Sequence, residues 1–145
     1  FRIAYTCEAE DDQFIAHHEW WCQLVYSVLD GNHLTYVIDD EVAASCSGVA
    51  KADPAHGKLL RQGRKYGMVY HCATQYPQEI PKTVYRNCPV LWVGRSFFES
   101  ENNYVPKQVR KTTRELEALG ELQFWIRDHT QPEPIRFEKL KYRNI

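Results

Sequence analysis

The sequence lacks the features that mark membrane and secreted proteins. No apolar run reaches the roughly 20 residues that a membrane-spanning helix needs. The five cysteines are odd in number and scattered, with no C-x-x-C pair, so they indicate neither a disulfide framework nor a cysteine zinc site. No signal peptide precedes the first apolar segment. We therefore expect a soluble cytoplasmic protein with reduced thiols.

The sequence also lacks an excess of charge of either sign. It carries 18 basic and 19 acidic residues, and 43% of its 145 residues are hydrophobic. A chain of this size and apolar content can bury a core of its own, which predicts one domain over 1–145. The near-neutral balance excludes attraction of the whole molecule to a polyanion, so any contact with nucleic acid must be local.

Apolar periodicity predicts strands that alternate with helices. Strands are predicted over 2–6, 34–38, 68–74 and 90–94, with closing strands over 122–126 and 135–137. Helices are predicted over 13–30, 57–66, 77–85 and, interrupted at Pro106, over 99–119. This alternation is typical of an open, mostly parallel α/β sheet flanked by helices. It leaves room for antiparallel closing strands at the end.

Three acids directly follow the strand predicted over 34–38. Asp39, Asp40 and Glu41 stand at its carboxyl end, where buried parallel strands deliver side chains to a site. In P-loop NTPases such a Walker B strand places one carboxylate against Mg²⁺ and a second where it orients or deprotonates water. Asp39 is the natural metal-side residue and Asp40 or Glu41 the base, although three acids in a row leave the register open. A solvated strand exit has the same pattern.

The strand predicted over 68–74 ends in Thr74 and Gln75. An amide at this place can hydrogen-bond both a γ-phosphate and the attacking water, which would let Gln75 sense hydrolysis. Taken alone, the pair is better explained as a polar strand exit.

Three sequence blocks stand in order after the acids. They read Leu59-Leu60-Arg61-Gln62-Gly63-Arg64-Lys65-Tyr66-Gly67, then Ala73-Thr74-Gln75-Tyr76-Pro77-Gln78-Glu79-Ile80-Pro81-Lys82-Thr83-Val84, then Asn87-Cys88. This series resembles HerA/FtsK-type P-loop ATPases, a group that includes phage genome-packaging ATPases and conjugation motors. The resemblance covers about 34–95.

The resemblance implies a site for ATP and Mg²⁺. Asp39 and Asp40, or Asp40 and Glu41, match the Walker B acids. Gln75 matches the sensor glutamine, and Thr74 beside it would also contact the nucleotide.

Two arginines of the first block match a basic helix that, in the family, often faces a neighbouring subunit's nucleotide. Arg64, and with it Arg61, would there stabilise charge that develops on the γ-phosphate. A solvated helix face is the alternative.

Two further patterns have a simpler explanation. Lys107, Arg110, Lys111 and Arg114 would form one basic helix face that could follow DNA phosphates, but such a stripe is more often a solvated face.

His18-Glu19 begins like a zinc-protease motif, yet that motif needs a histidine where Cys22 stands. The adjacent Trp20 and Trp21 indicate packing instead, so we expect no zinc site on this spacing.

The sequence contains no Walker A motif, G-x-x-x-x-G-K-[ST], which supplies the amide cradle and the phosphate-binding lysine. The nearest stretch, Ala52 to Leu59, fails at both ends. In the family the P-loop precedes the strand matched by 1–6. The resemblance thus implies the C-terminal part of a P-loop ATPase domain, inactive by itself; the alternative is a degenerate, non-hydrolysing relative.

The function implied is ATP-driven translocation of double-stranded DNA, as in viral genome packaging. Expected partners are further copies in a ring, expected to be a hexamer, together with double-stranded DNA and capsid or membrane vertex proteins. The expected location is the host cytoplasm or the virion vertex. The alternatives are a conjugation or filamentous-phage export ATPase, or a non-catalytic assembly or docking module.

Overall fold

The computed structural model describes residues 3–6, 11–96 and 104–142. The chain divides into two compact units, Phe1–Asn87 and Cys88–Ile145. One domain over 1–145 stays a prediction. Within the described ranges, no helix combines the length and the apolar character that crossing a bilayer demands.

The first unit combines a parallel strand pair with helices. Its elements are α1 (Asp11–Val28), β1 (Thr35–Asp39), α2 (Pro54–Gln62), a 3-10 helix (Gly63–Tyr66), β2 (Met68–Cys72) and α3 (Lys82–Asn87). β1 and β2 run parallel, with Thr35 opposite Met68 and Asp39 opposite Cys72. The predicted α/β class with parallel strands and flanking helices is confirmed.

The core of this unit lies on one face of the strand pair. Cys22 and Val25 of α1, with Leu29 directly after it, recur at the steps that the periodicity predicted, and they are buried in a cluster with Val37 of β1. Burial of such a side chain contributes about 1.5–3 kcal/mol. Because side chains alternate along a strand, the face that carries Val37 also carries Asp39. The core thus fixes the direction in which Asp39 points.

The opposite face of β1 is exposed. Tyr36 has 65% and Ile38 has 78% of its surface accessible, and Tyr36 stacks on His71 of β2 with 6.5 Å between ring centroids. Asp40 follows Ile38 in the alternation and is exposed as well. Adjacent acids at the end of β1 therefore lie in different surroundings.

The second unit is built on an antiparallel sheet. Its elements are β3 (Val90–Val93), α4 (Tyr104–Gln108), α5 (Thr113–Glu117), β4 (Gln123–Asp128) and β5 (Ile135–Lys139). The strands pair in the order β3-β4-β5, with Trp92 opposite Ile126 and Trp125 opposite Phe137. The antiparallel closing strands are therefore present, and β3 pairs with them rather than with β2.

Two elements of the first unit differ between the prediction and the structure. Residues 3–6, the described part of the strand predicted over 2–6, form no strand, since no described strand lies beside them to share a ladder. Tyr5 instead stacks on Trp21 of α1, with 5.4 Å between centroids. The helix predicted from Pro77 begins only at Lys82. Pro81 disfavours helical backbone at the residue before it, which accounts for the late start.

The sequence predicts one helix over 99–119. Within the described residues, this segment forms two short helices instead. α4 ends at Gln108, and Arg110 then takes a left-handed φ of 53°. α5 starts anew after Thr112, whose hydroxyl accepts the Glu115 N–H while the Glu115 carboxylate accepts the Thr112 N–H. This capping box begins a new helix and prevents a continuous one.

Gly67→Ala should destabilise the first unit. Gly67 closes the 3-10 helix with a φ of 84°, and a Cβ there would lie 2.3 Å from the carbonyl oxygen of His33. Backbone strain and this clash should lower the free energy of unfolding by about 2–4 kcal/mol in urea denaturation.

Gly48→Ala is the matched control, because a Cβ at Gly48 meets nothing within 4 Å. Its effect should stay below about 1 kcal/mol. Equal stability of the two variants would contradict the close approach of Gly67 to the His33 carbonyl.

Candidate functional site

The carboxyl ends of β1 and β2 lie side by side. The ladder continues past the strands, where the Ala73 N–H donates to the Asp39 carbonyl at 3.0 Å and the Val42 N–H donates to the Ala73 carbonyl at 2.9 Å. The residues that follow β1 are therefore held against those that follow β2. The two polar strand ends that were separate in the sequence form one cluster.

Glu41 is the centre of this cluster. Its carboxylate accepts the Thr74 hydroxyl at 2.5 Å and the Gln75 backbone N–H at 2.9 Å. Glu41 takes a φ of 55°, a conformation that costs about 1–3 kcal/mol for a residue with a side chain. The two hydrogen bonds offset part of that cost. A strained backbone that points a carboxylate at the next strand is typical of functional sites.

Asp39 points the other way, into the interior between α1 and α2. Its carboxylate accepts the Tyr70 hydroxyl at 2.7 Å and lies 3.0 Å from Nε2 of His18. The side chain is only 14% exposed. Asp40, by contrast, is exposed on the opposite face. The structure thus places the two aspartates, whose Walker B register the sequence left open, on opposite faces of β1.

Asp39 belongs to a buried polar network that the sequence did not predict. Nε2 of His56 lies 3.1 Å from the Tyr70 hydroxyl, and the His18 and His56 rings meet edge to face with 4.8 Å between centroids. His18 is buried, and its polar partners come from β1 and α2. These elements are distant in sequence, so spacing gave no signal of the network.

The charge states of this network follow from its burial. Burial raises the pKa of Asp39, but hydrogen bonds from His18 and Tyr70 outweigh it and hold the pKa below its usual value. Burial, followed by the charge of His18, lowers the pKa of His56 to about 4. Burial and then the Asp39 charge raise the pKa of Tyr70. At neutral pH the network holds a carboxylate, a neutral His56 imidazole and a neutral phenol.

Arg61 and Arg64 lie at the far end of the strands. Arg61 is in the last turn of α2 and Arg64 is in the 3-10 helix that leads into β2, and both are exposed. β2 is five residues long, so Arg64 stands about 16 Å or more from the residues that follow the strand. In the described part of the chain, no hydrogen bond or ion pair joins either arginine to Glu41.

The four basic residues proposed to follow DNA do not share one helix face. Lys107 lies in α4 and Arg114 in α5, while Arg110 and Lys111 lie in the link between them. Lys111 contacts Glu115 at 3.1 Å and lies over the Trp125 ring at 3.8 Å. The stripe predicted from their spacing is therefore wrong as a helical feature, because the helix on which it depended is broken. A role of these residues in DNA binding stays a prediction.

Solved structures of genome-packaging proteins have the same fold as this chain. The DNA-packaging ATPase B204 of Sulfolobus turreted icosahedral virus superposes with a TM-score of 0.64 at 19% identity. The genome-packaging NTPase B204 of Sulfolobus turreted icosahedral virus 2, in complex with ATP-gammaS, gives 0.63 at 19% identity. This chain has the fold of a viral genome-packaging NTPase.

The resemblance to HerA/FtsK-type packaging ATPases is confirmed at the level of fold. Protein P9 of Pseudoalteromonas phage PM2 is 35% identical over an alignment of 136 residues that covers 90% of this chain. No established family model matches the chain. The chain spans 60% of the length of P9 and 66% of the B204 chains.

Stability of the metal-free protein should fall as the pH is lowered from about 6.5 to about 4. The unfolded chain binds a proton at His56 near the ordinary pKa of 6.5, whereas the folded protein binds it only near 4. The unfolded state thus gains protons first, which should cost on the order of 3 kcal/mol of stability. Urea denaturation at several pH values, with a chelator present, measures this loss.

His56→Gln should flatten the decline between these pH values, because the substituted side chain does not titrate. His33→Gln is the control, since the His33 side chain is exposed and, among the described residues, forms its ion pair with Asp30. It should keep the wild-type pH dependence. A His56→Gln variant with the wild-type slope would exclude His56 as the cause.

Proposed function

We propose that this chain carries the hydrolysis half of the ATPase site of a genome-packaging motor. The contact of Glu41 with Thr74 and Gln75 carries the proposal, because it unites the acid end of one parallel strand with the polar end of the next. In P-loop NTPases these places hold the metal acid, the water-activating acid and the group that senses the γ-phosphate. The shared fold with packaging NTPases supports the same assignment.

We assign the nucleotide-side acids as Asp40 and Glu41. Asp39 is turned into the interior towards His18 and Tyr70, away from the exposed face that carries Asp40, which disfavours Asp39 as the ligand of the nucleotide's Mg²⁺. Asp40 is exposed and free to offer the carboxylate oxygens that Mg²⁺ prefers. Bound Mg²⁺ would neutralise charge on the β- and γ-phosphates. Asp40 would hold it there.

Glu41 would activate the attacking water. Its hydrogen bonds to Thr74 and Gln75 hold the carboxylate at the end of β2, from where it can accept a proton from a water placed in line with the γ-phosphate. The exposed amide of Gln75 would hydrogen-bond the same water or the phosphate. Gln75 would then transmit a change in the state of the γ-phosphate to β2.

The remaining components of the motor follow from the same proposal. ATP needs an amide cradle that this sequence does not contain, so the chain alone should bind ATP weakly. The working unit would be a homo-oligomeric ring, a hexamer, that moves double-stranded DNA and docks on capsid or membrane vertex proteins. It would act in the host cytoplasm or at the virion vertex.

Glu41→Gln and Asp40→Asn should each lower DNA-stimulated ATP hydrolysis by about 10²-fold or more, because each removes a carboxylate that contacts water or metal. The assay uses protein expressed from the complete gene. Glu117→Gln is the control, since Glu117 is an exposed acid on α5, and it should keep wild-type turnover. Wild-type turnover in Glu41→Gln would overturn the proposal, and a wild-type protein without ATPase activity would favour a non-catalytic module.

Arg64 should act on a neighbouring subunit's site, because it lies at the opposite end of β2 from Glu41. Arg64→Ala and Glu41→Gln should each be inactive alone. Mixed rings should regain partial ATPase activity, since an Arg64→Ala subunit keeps its acids and can receive Arg64 from a Glu41→Gln neighbour. Mixtures that remain as inactive as the separate variants would contradict action between subunits.

A further inference from the structure

We propose that His18, Asp39 and His56 form a buried binding site for a zinc-type transition metal, separate from the Mg²⁺ of the nucleotide. The three residues come from α1, β1 and α2. One ligand atom from each lies within 4.8 Å of those of the other two. The site lies on the interior face of β1, whereas the proposed nucleotide acid Asp40 lies on the exposed face.

The donor set and its spacing fit zinc. Two imidazoles and a carboxylate are ordinary zinc ligands, and ligands of a tetrahedral ion about 2.0–2.1 Å from the metal lie roughly 3.4 Å from one another. Nε2 of His18 and Oδ2 of Asp39 are 3.0 Å apart, already close to that spacing. Separations of up to 4.8 Å involve His56, and a shift of its ring by roughly 1–1.5 Å would bring them to that spacing and complete three corners of a tetrahedron.

The surroundings of the three ligands favour a cation. Asp39, Glu19 and Asp53 each contribute a negative potential that, after burial, raises the pKa of the nearby Cys22 thiol. A buried carboxylate is costly unless a positive charge compensates it. The partners of the Asp39 carboxylate are the His18 ring and the neutral Tyr70 hydroxyl. The pair that His18 forms with Asp39 offsets only one of these three negative charges, and a divalent ion would compensate the others.

His56 has unused coordinating capacity. Its side chain is fully buried, and its Nδ1 atom has no hydrogen-bond partner among the described residues. An unsatisfied buried nitrogen costs about 1–3 kcal/mol and calls for a partner. The ring is neutral at neutral pH because burial lowers its pKa, so a lone pair is available to a metal.

A supporting layer already holds the ligands in place. The Glu19 carboxylate accepts the backbone N–H groups of Ala55 and His56, each at 2.8 Å, which fixes the start of α2 against α1. The Tyr70 hydroxyl donates to Asp39. Such outer contacts orient the ligands of metal sites. Because the cluster is buried, we infer a structural role that fixes the end of β1 just before Asp40 and Glu41.

Cobalt titration of the chelator-treated protein, expressed from the complete gene, tests this site. We expect one Co²⁺ per chain, visible ligand-field absorption of a low-coordinate site, displacement of Co²⁺ by Zn²⁺ and a higher melting temperature with either metal. His18→Gln and His56→Gln should each lower the affinity by at least about 10-fold. Failure of the wild-type protein to bind Co²⁺, or equal binding by both variants, would overturn the proposal.

Two substitutions make the result specific. His33→Gln alters an exposed His-Asp pair and should leave Co²⁺ uptake unchanged. Asp40→Asn should lower ATP hydrolysis by about 10²-fold or more yet keep Co²⁺ uptake, which separates this site from the proposed nucleotide site. Loss of Co²⁺ uptake in Asp40→Asn or in His33→Gln would contradict the assignment.

His56→Cys keeps a metal ligand at a fully buried position and provides a test that does not depend on the glutamine variant's folding. It should retain Co²⁺ and add the intense charge-transfer absorption of a thiolate ligand. Co²⁺ bound by His56→Cys without that absorption would place the ion elsewhere and would refute the site.

Discussion

The parallel pairing of β1 with β2 is the constraint on which the candidate site depends. Its register sets Asp39 opposite Cys72, and two further backbone hydrogen bonds carry the pairing past the strand ends. A shift of one residue would turn every side chain of β1 to the other face. It would expose Val37 and Asp39 and would bury Ile38. The apolar core therefore maintains the geometry of the acids.

Burial of Asp39 has consequences for the rest of the strand end. A carboxylate can stay ionised in the interior only if hydrogen bonds replace its hydration, and His18 and Tyr70 supply them. These contacts tie β1 to α1 and β2. The chain then leaves the interior at Asp40 and turns through the left-handed backbone of Glu41. Asp39 thus anchors the strand, and Asp40 and Glu41 are left for the proposed catalytic roles.

The sequence predicted most elements because their signals are local. The apolar steps of α1, the β-branched run of β1 and Gly67 at the end of the 3-10 helix all reflect short-range physics. The break at Arg110 was missed, since the helical spacing of the basic residues continues through it. The prediction of a strand over 2–6 is wrong for residues 3–6, because a strand needs a partner and an alternating pattern alone does not supply one.

The sequence by itself determined the chemistry that the chain can offer: three acids after one strand, Thr74 and Gln75 after the next, and blocks that resemble packaging ATPases. Only the tertiary structure decided which acid meets Thr74, which aspartate is buried, and that His18 and His56 meet across two helices. The physical reason is distance along the chain. Hydrogen bonds between residues 21 to 34 positions apart depend on sheet register and helix packing, and local pattern does not specify these.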